Sequence, residues 1–271
     1  MTDSTTLHDY FSLEGKAALL TGAGGGIGHA LARALAGAGA SVALHARTRD
    51  KIEGLAAQIE KAGGKTVSLT AELADVDAAR GLVDAAHAAF GRLDILVNCA
   101  ATNRRKPIAQ VTEQDWDDIM AVDLKSLYFM SQAAYRHMKA RKSGKIIHIG
   151  SLNSSYALGS VSVYGAAKGA VAQTTKVMAV EWAKDNIQVN CVIPGFVATP
   201  LSRPLWEDAY KAEWMRSRIP LRRPARPEEI AGAVLLLAAP ASSYITGTTI
   251  VVDGGVLAGG WWEPDDVIAA L

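Results

Sequence analysis

The sequence predicts an α/β fold: a doubly wound parallel sheet of about seven strands, covered by helices on both faces and forming a single domain over residues 1–271. Three observations predict it. Short runs rich in Val, Ile and Leu alternate with longer Ala-rich stretches of helical period along the whole chain. Strand–helix–strand repeats of this kind need crossover connections and therefore parallel pairing. The strand runs also show little polar alternation, as expected when both sheet faces are buried.

Taken in order, Lys16–Leu20 reads as the first strand, and a glycine cluster follows it. Ile27–Gly39 reads as a helix, with Ile27, Leu31, Ala34 and Leu35 on one face. Strands over Ser41–His45 and Lys65–Leu69 flank a helix over Lys51–Lys61. A helix over Ala78–Phe90 leads into a fourth strand, Leu93–Asn98. One long helix is expected over Asp115–Lys139, then a strand over Gly144–Ile149 and a helix over Tyr164–Lys184. Gln188–Ile193, a helix over Pro227–Ala238 and a last strand over Thr249–Val252 complete the pattern. Between them, Pro194–Arg226 breaks the rhythm with five prolines, Trp206 and Trp214. A long insertion after a parallel strand reads as a lid, at about 195–226, because such loops line the ligand crevice.

Composition narrows the function classes. Hydrophobic residues make up 49% and charged residues 20% of 271, which excludes a disordered chain. The net charge of +1 offers no bulk field for nucleic acid or an anionic membrane. The polar start, Met1 to Phe11, lacks a signal-peptide core, and the longest apolar run, Ala233–Pro240, is too short to span a bilayer. A soluble cytoplasmic protein is therefore expected. Cys99 and Cys191 sit in apolar runs and read as small buried hydrophobes. No Cys/His cluster has metal-ligand spacing, so no metal is expected.

Chemistry enters at Thr21-Gly22-Ala23-Gly24-Gly25-Gly26-Ile27-Gly28, between the first strand and first helix. Glycines there allow a tight turn and let a pyrophosphate approach the helix N-terminus, whose free N–H groups and dipole favour anions. At the end of the second strand an acid would bind the ribose hydroxyls of NAD. The stretch reads His45-Ala46-Arg47-Thr48-Arg49 instead, with no carboxylate before Asp50. Arg47 can present a planar fork to a 2′-phosphate, so NADP(H) is the expected cofactor.

Two Tyr-x-x-x-Lys pairs occur. Tyr135 and Lys139 close a helix beside Arg136, Arg141 and Lys142, as a solvated basic C-terminus would. Tyr164 and Lys168 open a helix among small residues, and a four-residue step puts them on one face. An ammonium beside a phenol favours the phenolate, and such a tyrosine can act as a general acid or base on an alcohol or carbonyl. Ser151 follows the fifth strand directly, at the strand ends where ligands bind.

These motifs together resemble the short-chain dehydrogenase/reductase family over roughly Phe11 to Gly255. The resemblance rests on Thr21 to Gly28, on Asn98-Cys99-Ala100-Ala101, on Ser151 thirteen residues before Tyr164, on Tyr164-Gly165-Ala166-Ala167-Lys168, and on Pro194-Gly195 with Thr199. It implies a Rossmann-type sheet and reversible hydride transfer to or from a nicotinamide. Tyr164 is then the acid/base, Lys168 binds the nicotinamide ribose, Ser151 holds the substrate oxygen, and Asp123 stands at the relay position. The implied cofactor contacts are Gly22, Gly24, Gly25, Gly26, Ile27 and Gly28 at the phosphates, and Arg47, Glu72 and Leu73 on the adenosine side. Asn98, Ala100, Tyr164, Lys168, Pro194, Gly195, Val197 and Thr199 complete the set toward the nicotinamide. Three departures from the family pattern stand out: Asn98-Cys99-Ala100-Ala101 replaces Asn-Asn-Ala-Gly, Asp123 replaces an asparagine and Glu72 an aspartate.

Within the family, Asn103-Arg104-Arg105-Lys106-Pro107, Trp116-Asp117-Asp118, Ser131-Gln132-Ala133, Trp182-Ala183-Lys184 and Val252-Asp253-Gly254-Gly255 resemble the sugar-acid members. A guanidinium grips a carboxylate bidentately, so Arg104 or Arg105, with Arg104 preferred, is expected to anchor a substrate acid while Ser151 and Tyr164 hold the reacting oxygen. The competing readings are a reductase of another ketone, such as a 3-oxoacyl thioester or a cyclic or steroid-like ketone, and a non-catalytic NADP(H) sensor. An intact Ser151, Tyr164 and Lys168 argues against the sensor. The expected partners are a small-molecule substrate and further copies of the chain, as a homotetramer built partly through Asp115–Lys139 and Tyr164–Lys184. Adjacent Trp261 and Trp262 are expected to pack on the lid or a neighbouring subunit.

Overall fold

The computed structural model describes residues 6–200 and 202–260, so the Trp261–Trp262 tail lies outside the described residues. Seven strands run in chain order: β1 (Ala17–Leu20), β2 (Ser41–Ala46), β3 (Lys65–Thr70), β4 (Ile95–Asn98), β5 (Gly144–Ile149), β6 (Ile187–Pro194) and β7 (Thr249–Val252). They form one sheet in the order β3-β2-β1-β4-β5-β6-β7, with every pair parallel. The order reverses between β1 and β4. In such sheets a crevice opens there, at the carboxyl ends of the strands.

The helices are α1 (Leu7–Phe11), α2 (Gly26–Gly37), α3 (Asp50–Lys61), α4 (Val76–Phe90), α5 (Glu113–Met120), α6 (Ser126–Lys139), α7 (Ser162–Trp182), α8 (Arg203–Glu207), α9 (Ala209–Arg218) and α10 (Glu228–Ala238). Side chains alternate across each strand, so Leu20, Val42 and Leu44 pack with Leu31, Leu35, Ile52, Val234 and Leu237 on one face. Leu19, Leu96 and Ile146 pack with Leu82, Val83, Met130, Met138 and Met178 on the other. Both layers are apolar, and each fully buried leucine contributes about 1.5–3 kcal/mol.

Local signals set the helix ends. Asp75 caps α4 by accepting from the N–H groups of Asp77 at 2.8 Å and Ala78 at 3.2 Å, and Gly91 stops it at φ 70°. Asn186, at φ 56°, ends the turn after α7 in the same left-handed way.

The one helix expected over Asp115–Lys139 is in fact three pieces. It starts earlier, because Thr112 and Asp115 form a capping box. It is then interrupted by a π turn over Ala121–Lys125, closed by the Ser126 N–H on the Ala121 carbonyl. One wide turn rotates the following residues, and it carries Asp123 into the interior at 1% exposure. Sequence periodicity over so short an insertion does not reveal it.

The segment after β6 carries two helices, α8 and α9. Trp206 and Trp214 each meet Phe196 edge-on at 6.4 Å, and Met215 and Ile219 are buried with Val256. No helix among the described residues is long and apolar enough to cross a membrane.

Candidate active site

The glycine turn sits at the crevice. Gly22 has φ 70°, and a Cβ on it would come within 2.8 Å of Ala100 Cα. A Cβ on Gly28 would collide with the Gly22 carbonyl. Both positions therefore require glycine, one for the turn and one for close helix–strand packing. Thr21 Oγ1 accepts from the N–H groups of Cys99 at 3.0 Å and Ala100 at 3.1 Å, which pins the exit of β4 to that of β1. Among the described residues no side chain caps the N-terminus of α2, where Gly25 is the cap residue. A Cβ on Gly26 would lie 2.9 Å from Thr199, so the segment after β6 closes over this turn. Uncapped N–H groups under a side-chain-free turn are what a pyrophosphate needs.

His45, at the end of β2, is a support that the sequence reading passed over. Its Nδ1 accepts from the Gly22 N–H at 3.5 Å, and its Nε2 lies 3.1 Å from the Ala71 carbonyl. Burial holds its pKa below the ordinary histidine value, against the Ala71 bond and the charge of Glu72. The neutral ring thus ties the glycine turn to the end of β3. Arg47 and Arg49 follow, exposed and without an ion pair among the described residues. Glu72 is exposed and Leu73 buried at the end of β3. Asn98 is buried, with its Nδ2 donating to Ser131 Oγ at 3.2 Å.

Tyr164 and Lys168 lie in the first two turns of α7. Lys168 is 2% exposed, its Nζ donates to the Ile149 carbonyl at 3.1 Å, and it lies 5.5 Å from the Tyr164 ring centre. Asp123 reaches the same ammonium from the π turn, with Oδ2 at 3.6 Å, while its Oδ1 accepts from the Thr102 N–H at 2.7 Å. Burial works against the Lys168 charge, but Asp123, Tyr164 and the two thiols outweigh it and hold the pKa up. Burial raises the Asp123 carboxyl, with Lys168 and Thr102 opposing. The Tyr164 ring is half-buried, and its hydroxyl has no hydrogen-bond partner among the described residues. Ser151 is 8% exposed, two residues beyond Ile149. Burial pushes the thiols of Cys99 and Cys191 up to about 11, so neither is a ready nucleophile.

The other Tyr–Lys pair has a structural explanation. Tyr135 donates its hydroxyl to Asp185 Oδ2 at 2.7 Å, which raises its pKa, and stacks on Trp182 at 4.6 Å. On the nicotinamide side, Gly195 backs onto Asp253, where a Cβ would come within 2.6 Å, and its N–H donates to the Val252 carbonyl. Pro194 and Val197 are buried beside it.

The arginines after β4 differ from expectation. Arg104 is committed to Asp115 at 3.2 Å and Asp118 at 2.5 Å. Asp115 also holds Lys106 at 2.6 Å, and Lys106 foremost keeps its carboxyl well below the usual range. Arg104 thus braces the loop, whereas Arg105 is exposed and has no ion pair among the described residues. Arg104, the arginine expected to anchor a substrate acid, is therefore already ion-paired, and Arg105 is the one left open to solvent. The loop is also tied across the site mouth, since the Lys106 N–H donates to the Ser160 carbonyl at 3.0 Å.

Comparison with known proteins agrees with this geometry. A family model described as enoyl-(acyl carrier protein) reductase matches residues 22–257. A 2-dehydro-3-deoxy-D-gluconate 5-dehydrogenase of Escherichia coli K12 is 42% identical over 240 residues, 88% of this chain and 93% of that protein. A gluconate 5-dehydrogenase of Gluconobacter oxydans 621H is 38% identical over 239 residues, with the same coverage. The crystal structure of a gluconate 5-dehydrogenase from Burkholderia cenocepacia J2315, in complex with NADP and tartrate, superposes with a TM-score of 0.90. It is 38% identical and covers 94% of this chain and 100% of its own.

Proposed function

Because the chain belongs to the short-chain dehydrogenase/reductase family, we propose that it is an NADP-dependent oxidoreductase interconverting a secondary alcohol and a ketone on a sugar acid. One observation carries the chemistry. Tyr164, whose hydroxyl has no hydrogen-bond partner among the described residues, has its ring 5.5 Å from the ammonium of a buried lysine–aspartate pair, on the helix that follows the strand end carrying Ser151.

The glycine turn fits a dinucleotide, since Gly22, Gly24, Gly25 and Gly26 add no side chains of their own and the turn lies at a helix end with no side-chain cap among the described residues. Gly22, Gly24, Gly25, Gly26, Ile27 and Gly28 hold the phosphates in this reading. Arg47 takes the 2′-phosphate, and the missing acid at the end of β2 supports NADP over NAD. Glu72, Leu73, Asn98 and Ala100 line its path, and Pro194, Gly195, Val197 and Thr199 flank its far end. When bound, NADP(H) supplies or accepts the hydride.

The chain's residues manage the proton and the oxygen. Tyr164 removes the hydroxyl proton during oxidation and returns it during reduction. The Lys168 ammonium, 5.5 Å from the Tyr164 ring centre, favours the phenolate by its charge. Asp123 keeps that ammonium charged and offers the relay a carboxylate where relatives of this family carry an amide. Ser151 holds the substrate oxygen. A carboxylate on the substrate meets Arg105, with Arg104 bracing the loop. The relatives named for gluconate chemistry support an acidic sugar. The segment at about 195–226 serves as the lid, within one domain spanning 1–271.

The enzyme works in the cytoplasm as a homotetramer. Val177 at 48% and Val180 at 82% exposure on α7, with Tyr128 at 44% on α6, support self-association of these helices. Light scattering on the purified protein tests this.

The activity is tested by NADPH consumption over a panel of keto-sugar acids, neutral ketoses and apolar ketones. Tyr164→Phe lowers turnover by about 10²-fold or more, with NADPH binding kept. Near-normal turnover, or preference for uncharged apolar ketones, overturns the reading.

A further inference from the structure

We propose that Asn153 is a positioning residue that makes Ser151 a hydrogen-bond donor only, so that the proton of an alcohol substrate has Tyr164 as its sole acceptor. The proposal rests on the reading of the site given above.

A serine hydroxyl has one hydrogen to give and two acceptor positions. At Ser151 Asn153 fills both. The Asn153 backbone N–H donates to Ser151 Oγ at 3.2 Å, and its side-chain Nδ2 donates to the same oxygen at 3.3 Å. What remains is the hydroxyl hydrogen, which has no acceptor among the described residues. The amide makes no other hydrogen bond among the described residues, and its Oδ1 is buried without a partner. Ser151 is thus the group the amide is aimed at.

The turn that carries Asn153 is itself fixed to the catalytic helix. Ser154 Oγ accepts from the Ser151 N–H at 3.4 Å and donates to the Lys168 carbonyl at 2.9 Å. The residue beside Tyr164 packs on the same turn, since a Cβ on Gly165 would lie 3.7 Å from the Asn153 carbonyl.

The chemical consequence concerns direction. A hydroxyl with both acceptor positions filled cannot take a proton from an alcohol; it can only give its own hydrogen to the substrate oxygen. That hydrogen bond strengthens as negative charge grows on the oxygen during proton removal. Ser151 therefore stabilises the developing charge, and the leaving proton has only Tyr164 to go to.

The test is a double-mutant cycle on the full chain. Asn153→Asp keeps the shape but presents an oxygen, which captures the Ser151 hydrogen. It should lower kcat by about 10²-fold, as loss of one donor to a developing oxyanion does, with KM little changed. Asn153→Leu removes the donor without adding an acceptor and should cost about tenfold or less. In a Ser151→Ala background Asn153→Asp should add almost nothing, because its effect passes through the serine. NADPH binding, followed by fluorescence, reports folding of each variant. If a variant fails to bind, Asn153→Ser, which is too short to reach Ser151, takes its place with the leucine outcome expected. Wild-type activity in Asn153→Asp, losses that add in the Ser151→Ala background, or a leucine variant worse than the aspartate overturns the proposal. Tyr164→Phe in parallel separates the two levels. If that variant stays active, the reading of the whole site fails; if it is dead while Asn153→Asp is normal, only the role of Asn153 fails.

Discussion

Replacing His148 with asparagine should remove most of one component of the protein's acid sensitivity. His148 lies on β5 and is fully buried. Its Nε2 is 3.1 Å from Ser131 Oγ on α6, and its Nδ1 is 2.9 Å from Thr175 Oγ1 on α7. Each hydroxyl is also within reach of its own helix, Ser131 Oγ of the Leu127 carbonyl at 2.7 Å and Thr175 Oγ1 of the Val171 carbonyl at 2.8 Å. The ring therefore ties the strand that leads to Ser151 to both neighbouring helices. Burial foremost, and then the charge of Lys168, push the imidazole from an ordinary 6.5 down to about 3. A fall of that size, at about 1.36 kcal/mol per unit, corresponds to about 5 kcal/mol. The sign follows from proton binding. Between pH 6.5 and 3 the unfolded chain holds this proton and the folded chain does not, so stability is complete above 6.5 and falls as the pH falls. From pH 6.5 to about pH 5 the loss is about 2 kcal/mol. Urea unfolding followed by tryptophan fluorescence, at one protein concentration and at about pH 7.5 and pH 5, measures it. The wild type should lose about 2 kcal/mol more than His148→Asn over that interval. Equal losses in the two proteins, or a His148 resonance titrating near 6.5, would refute the reasoning.

Three further outcomes follow from the site. Arg47→Ala should weaken NADPH by tens of fold, from about 1.5–3 kcal/mol for a charge-assisted bond, and leave NADH nearly unchanged; a fluorescence titration that finds the wild type preferring NADH contradicts it. Asp123→Asn removes the negative charge that holds the Lys168 pKa up. The basic limb of the kcat/KM profile should then move to lower pH, and an unmoved limb would mean that the carboxyl is neutral in the working enzyme. Arg105→Ala should raise KM for an acidic sugar about tenfold, with a smaller change on a neutral polyol. Arg104→Ala, which removes one partner each from Asp115 and Asp118, should affect charged and neutral substrates alike; the reverse pattern returns the anchor to Arg104.

The repeating strand–helix order, the glycine turn and the shared helix face of Tyr164 and Lys168 were legible in the sequence, because each rests on local rules. A buried strand must be apolar, a tight turn with φ 70° must be glycine, and residues four apart on a helix share a face. The grouping of Ser151 with Tyr164 and Lys168 came instead from the resemblance to the short-chain dehydrogenase/reductase family. Other features depended on residues distant in sequence. The π turn places Asp123 against Thr102 and Lys168, contacts that the helical period around it does not announce. Arg104 and Arg105 are the same residue type side by side, and only the fold brings Asp115 and Asp118 against the first. His148 in an apolar strand reads as an interruption until Ser131 and Thr175 arrive from two helices. The sequence by itself determined which residue types could carry the chemistry and which elements hold them. The tertiary structure decided which charges are neutralised and which polar groups stay free, because a charge or a hydrogen bond is completed by whatever lies within a few ångströms, whatever its distance along the chain.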